Sequence, residues 1–389
     1  DFEAQGLKAL DARQYQEAAA LFSKAVSADP KDYSAHFNLG LAYSLLGKDA
    51  DAITEYKSVL KLHPGLYEAE LNLGICQLRT KDAAAAAANL KLAAQQKPNQ
   101  FQPQFYLGEA SLAAGQFTEA EAAYRAAMTL NANSAPAELG LGRALAREGR
   151  RSEAEPYYRK AVALNPSFKN ALLELASLYE ENRQPGEAIA LYREFPQNPG
   201  AQERLGALLL ESGHASDAVP PLEMAVTASP TPANRLLLAQ AYVHEKQLPL
   251  AELQAAEAAK AAPADVQLQL FYGRILRDER KFPAAAAQFL AITQRKPDSA
   301  DAWNELAGVY LTSGDYTGAL AAFDHVKALG KETTAHFFFR GMAYDHLHQT
   351  KQALENYQKF LAGSHGEHPD QEFQARQRAK ILEKELGKR

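Results

Sequence analysis

Two pairs of arginines stand at spacings that would bring them together on a helix: Arg143 with Arg147, and Arg274 with Arg277. Side chains three or four apart share a helical face, and a guanidinium fork takes both oxygens of a carboxylate at once. The chemistry on offer is recognition of anions. Between the pairs lie Glu174, Glu180, Glu181, Glu203 and Glu211, and Glu109 precedes them. The same arginines could therefore be paired within the chain, Arg143 with Glu109 for instance, and exposed pairs of that kind contribute little. Six of the ten histidines cluster late, at His325, His336, His346, His348, His365 and His368. His346 or His348 with His365 or His368 could hold a transition metal, but residues two apart on a helix point in different directions, which favours histidines that simply face solvent. Cys76, the one cysteine, rules out an intramolecular disulfide or a paired-cysteine zinc site. It sits within a helical pattern, where an inert buried thiol is expected. No phosphate loop, dinucleotide fingerprint, two-histidine zinc helix or nucleophile elbow is present, so no catalytic residue, cofactor or metal is assigned.

The elements that must carry these side chains follow from composition and period. A net charge of −5 gives no broad basic surface for nucleic acid. No run of about 20 apolar residues exists to span a bilayer. The chain opens at Asp1 without a recognisable leader. A removed signal peptide and a shortened chain both fit, and so do a cytoplasmic and an exported location. Alanine dominates the 47% hydrophobic share, which suits closely packed helices. Prolines recur near a 34-residue period at Pro30, Pro64 and Pro98, and in nearly the same phase at Pro166, Pro230, Pro263 and Pro297. Each marks a helix end. Ahead of them, Leu39-Gly40, Leu73-Gly74, Leu107-Gly108, Leu141-Gly142 and Leu205-Gly206 keep one phase. A small residue and an aromatic or leucine four further on follow, as in Ala52–Tyr56, Ala120–Tyr124 and Ala285–Phe289. Two apolar stretches at helical spacing, a turn and a stop describe a helical hairpin repeated end to end.

This pattern resembles the tetratricopeptide repeat. Leu39, Gly40, Tyr43, Gly47, Ala52, Tyr56 and Pro64 fit it nearly throughout. A later repeat has Trp303, Tyr310, Gly314 and Ala319. The resemblance implies an all-α fold, a right-handed α-α superhelix or solenoid of about eleven hairpins over residues 1–365. Their starts fall near 1, 33, 67, 101, 135, 169, 199, 232, 266, 300 and 334, with an irregular junction at 195–200. Residues 366–389 are expected to form a loop and a capping helix, whose Phe373, Ile381, Leu382 and Leu386 would cover the last apolar face. Pro156, Pro220 and Pro221 are expected inside second helices, near their starts, where few hydrogen bonds are lost.

The resemblance also implies a function and a face. Proteins built this way act as interaction scaffolds, with ligand contacts from the second, fifth, sixth, ninth, twelfth and thirteenth positions of each first helix. The candidates for a concave groove binding an extended peptide or partner helix are Asn38, Asn72, Arg79, Glu109, Arg143, Arg147, Glu174, Glu203, Arg274 and Arg277. Asn38 and Asn72 fall at the sixth position of consecutive repeats, where an amide can donate to and accept from a peptide backbone; bonding to their own helix or to water is the plainer reading. The lysine–asparagine clamp for chaperone tails finds one match in five at the first three repeats. Phe338, Phe339 and Met342 form an apolar patch that a terminal helix would cover. Two alternatives stand: a platform binding its partner on the convex face or edge, and a small-molecule or metal binder using Arg143, Arg147 or the histidines.

Overall fold

The structure, a computed structural model, describes residues 2–387. All regular secondary structure among them is helical. The chain divides into two compact units, Asp1–Leu191 and Tyr192–Arg389.

In the first unit, α1 (Phe2–Asp11) pairs with α2 (Tyr15–Ala28), α3 (Tyr33–Leu45) with α4 (Asp49–Leu62), and α5 (Tyr67–Arg79) with α6 (Ala83–Gln96). Next come α7 (Phe101–Ala113) with α8 (Phe117–Leu130) and α9 (Ala135–Arg147) with α10 (Arg151–Leu164). A 3₁₀ turn at Pro166–Phe168 leads to α11 (Ala171–Glu181), and α12 (Pro185–Tyr192) closes the series after 8 residues. In the second unit the pairs are α13 (Pro199–Glu211) with α14 (Ala215–Ala228) and α15 (Pro232–His244) with α16 (Leu248–Ala261). They continue with α17 (Val266–Asp278) and α18 (Phe282–Arg295), α19 (Ala300–Ser313) and α20 (Tyr316–Ala328), and α21 (Thr334–His346) and α22 (Thr350–Gly363). Last comes α23 (Pro369–Leu386).

The first and second helices of a pair begin for different reasons. Six first helices are capped by a side chain that accepts from the opening turn: Asp32, Ser134, Asn198, Thr231, Asp265 and Ser299. Such a cap satisfies a backbone donor that the helix itself leaves free. Most second helices lack one and instead follow a residue in the left-handed region, Gly47 with φ 71° in one turn and Arg280 with φ 60° in another. That conformation costs a side-chain-bearing residue about 1 kcal/mol and glycine nearly nothing.

Within a pair, the small residue of the first helix meets the large one sixteen positions on. A methyl added at Gly40 would lie 3.0 Å from the Tyr56 ring, and one at Gly273 would lie 2.5 Å from the Phe289 ring. Tyr56 and Phe289 are fully buried. The glycines are thus sockets for rings, and packing in this core is pairwise and local, as in other repeat arrays. Cys76 lies in the same layer, 1% exposed. Burial pushes its thiol up to about 11, so it stays protonated and inert.

Two sequence expectations are corrected. Pro156 stands at the sixth position of α10, and Pro220 and Pro221 at the sixth and seventh of α14, inside second helices as expected but beyond the first turn, where the loss is not small. Each therefore removes a backbone donor that the preceding turn would have used. The packed face of α23 is Glu372, Ala375, Ala379 and Leu382; the last three join Phe338, Tyr357 and Phe360, and Glu372 accepts from the Ser364 hydroxyl and the Gly366 N–H. Phe373 and Ile381, expected on that face, are 61% and 43% exposed. The packed stripe recurs at helical spacing from Glu372 to Leu382, and Phe373 and Ile381 each stand one residue, about 100°, away from it.

Candidate interaction surface

In the first unit, α9 carries Arg143 and Arg147, and α11 carries Glu174. Arg143 gives both Nε and Nη2 to one oxygen of Glu174, at 3.1 and 3.0 Å. Burial opposes the charge on Arg143, but the Glu174 carboxylate outweighs it and raises the pKa above the ordinary value. Glu109 does not join this pair. It accepts the Tyr124 hydroxyl instead, so the expected Arg143–Glu109 bridge is replaced by Arg143–Glu174. Burial, then the Glu109 charge, raises the Tyr124 pKa and keeps that hydroxyl a donor. Arg147 is exposed and has no ion-pair partner among the described residues. With Arg143, Glu174, Leu112 and Phe117 it borders an open hollow of about 350 Å³.

The second unit builds a related cluster to a different end. Arg274 donates to one oxygen of Glu305 at 2.5 Å and Arg277 to the other at 2.6 Å. Arg277 also gives Nε and Nη2 to Asp278. Both guanidinium groups are engaged by the chain itself.

The other candidates divide in the same way. Arg79 donates to the Ser44 hydroxyl at 3.2 Å and to Asp49 at 3.3 Å, which ties α5 to the preceding hairpin. Asn38 and Asn72 are half-buried on α3 and α5, and their amides have no hydrogen-bond partner among the described residues. They are not bonded to their own helices. Glu203, on α13, also lacks a partner among the described residues.

Among the described residues no three metal-ligating side chains converge, and two of the clustered histidines stack on aromatic rings. His325 stacks on Trp303 at 3.8 Å between ring centres, and His346 on Tyr316 at 4.3 Å. Phe338 lies under α23, but Met342, Tyr357 and Phe373 line a hollow of about 680 Å³ beside the bidentate Arg378–Asp345 pair. The terminal helix therefore covers the apolar patch in part. No described helix is long and apolar enough to cross a membrane.

Sequence reasoning missed Glu305, whose signal was its spacing of 31 residues from Arg274, the same as Glu174 from Arg143. It missed the web in which Arg150 binds Glu121, Glu148 and Glu153, for which no pattern was sought. It also passed over Asn304, to which His336 of the next repeat is bonded at 2.9 Å.

The fold and this surface define an all-α repeat protein in which first helices of successive hairpins present polar side chains, some bound within the chain and some not. The tetratricopeptide-repeat profile matches residues 3–67, 46–101, 139–203 and 273–331, more than half of the sequence, and the chain belongs to that family. Members of the family bind other proteins, and the chain is a protein–protein interaction scaffold of this general kind, a fold that is typically non-enzymatic. No curated protein matches it. Among solved structures it is similar to "MamA MSR-1 C2" at 23% identity, covering 43% of this chain and 95% of that one, TM-score 0.40. It is similar to "MamA 41-end from Desulfovibrio magneticus RS-1" at 22% identity, covering 43% and 94%, TM-score 0.40. "Crystal structure of MamA protein" shows 25% identity over 44% of this chain and 92% of that one, TM-score 0.40.

Proposed function

We propose that the first helices of the first unit bind an extended peptide segment bearing acidic side chains. The observation that carries this reading is the set of groups without intrachain partners: the amides of Asn38 and Asn72 in equivalent positions of neighbouring repeats, and the guanidinium of Arg147. A half-buried amide loses part of its hydration, and an extended backbone supplies both the donor and the acceptor it lacks. Arg147 beside the neutralised Arg143–Glu174 pair offers an unused fork to a carboxylate. Such a contact steers the partner and sets its register more than it sets affinity.

The test is fluorescence anisotropy with a labelled acidic peptide and its glutamine analogue. Arg147→Glu should abolish the preference for the acidic form, and Asn38→Ala with Asn72→Ala should weaken both forms alike. Circular dichroism should stay unchanged. Equal binding of all variants would place the partner on the opposite face or the edge of the array and end this reading.

A further inference from the structure

The second unit holds a cleft that the arginine clusters do not use. It opens between α19 and α21 with a volume of about 160 Å³, and its walls are almost wholly apolar: Leu311, Phe323 and Phe339. Its floor is Gly308. The ninth position of the other first helices in this unit carries Ala207, Gln240, Arg274 and Met342. At Gly308 a methyl would meet nothing within 4 Å, so this glycine is no socket for a ring. It leaves a space. The junction beside it is also irregular, because α20 stops after 13 residues where most second helices run 14.

A polar relay stands at the mouth. The Thr333 backbone N–H donates to Nδ1 of His336 at 2.8 Å. Nδ1 must therefore be bare, and the ring proton sits on Nε2. That proton points at Oδ1 of Asn304, 2.9 Å away. The ring is further held edge-on by Phe323, and burial keeps its pKa below the ordinary value. With its oxygen so engaged, the Asn304 amide has a fixed orientation at the edge of the cleft, and its two N–H donors have no partner among the described residues. A structural role alone would call for the His336–Asn304 bond but not for an empty apolar space next to it.

We infer that this cleft is a single-residue subsite: it takes one leucine- or phenylalanine-sized side chain of a bound peptide, while Asn304 donates to that residue's backbone carbonyl. Size sets the side chain, since an apolar cavity of about 150 Å³ accommodates benzene. The shared donor sets the rest: a capped amino acid offers the apolar group and the carbonyl together, whereas a hydrocarbon offers one and a glycine only the other. The inference rests on the first-helix face being the binding face, and it adds the chemistry read in the second unit.

The test uses the full chain, with N-acetyl-leucine methylamide and N-acetyl-phenylalanine methylamide as probes and the glycine analogue as control, followed by NMR. The expected result is saturable shifts of the Asn304 side-chain NH₂ and the Gly308 amide with the first two probes and none with glycine. Gly308→Leu meets nothing within 4 Å of its Cβ and replaces a helix-interior glycine, so it should fold with an unchanged or higher Tm, fill the space and lose the shifts. Asn304→Asp keeps an acceptor for His336 but removes the donors, and should weaken both probes at least several-fold. Absence of shifts, or shifts that survive Gly308→Leu, would overturn the subsite. Acidic-peptide binding at Arg147 is read in a separate titration, so its loss or survival does not mimic either outcome.

Discussion

The two arginine clusters, one in each unit, use the same register and reach opposite states. In both, an arginine at the ninth position of a first helix binds a glutamate at the sixth position of the next repeat, 31 residues on. The difference is the second arginine. Arg277, three residues after Arg274, reaches the free oxygen of Glu305 at 2.6 Å. Arg147, four residues after Arg143, reaches no carboxylate among the described residues, and the second oxygen of Glu174 faces the Tyr158 hydroxyl at 3.5 Å. A step of one residue turns a side chain by about 100° around a helix. That rotation separates a closed internal clamp from one with an open position, and it teaches that an arginine pair in a sequence cannot be equated with an anion site until its second partner is known.

The largest test of this contrast is to invert charge at the second arginine in each unit. Arg147→Glu should reduce capture of an acidic peptide by roughly 30-fold, the equivalent of about 2 kcal/mol at an interface hot spot. Arg277→Glu should leave capture unchanged and lower Tm instead; equal losses of capture would erase the distinction between the clusters. A steric lesion placed alike in both units serves as the control. Gly142→Ala would bring a methyl to 2.8 Å from the Tyr158 ring, and Gly273→Ala to 2.5 Å from Phe289. Each should cost about 1–3 kcal/mol in denaturant unfolding through overpacking, whatever the state of the adjacent arginines. If either is neutral, the glycine socket is not what seats the ring.

Glu305→Ala should convert the closed cluster into an open one. Releasing both arginines is expected to cost about 1 kcal/mol, because the pairs are partly solvent-screened. The variant should then gain salt-sensitive affinity for acidic peptide that the parent's second unit lacks. The smallest effect concerns the turns that present these helices. Arg280→Gly, at φ 60°, should stabilise the chain by up to about 1 kcal/mol, whereas Gly314→Ala, at φ 84°, should destabilise it by a similar amount. Thermal melts of the pair would read opposite signs; shifts of the same sign would contradict the left-handed assignment.

Much was settled by residue order alone. Proline stops, glycine sockets and the alanine–aromatic rhythm fix an all-α repeat fold because each reports a local condition: a missing donor, a missing Cβ, or a ring that must be buried by its own hairpin and the next. Interactions of that range leave a period in the sequence. Which polar groups are spent inside the chain leaves no such trace. Arg143 choosing Glu174 over Glu109, Phe373 turned away from the packed face of α23, and His336 reaching Asn304 across 32 residues depend on distances between repeats. Those distances are set when neighbouring hairpins seat against each other. The sequence therefore determined the scaffold and the faces on which chemistry could sit, while tertiary packing decided which side chains on those faces remain available to a partner.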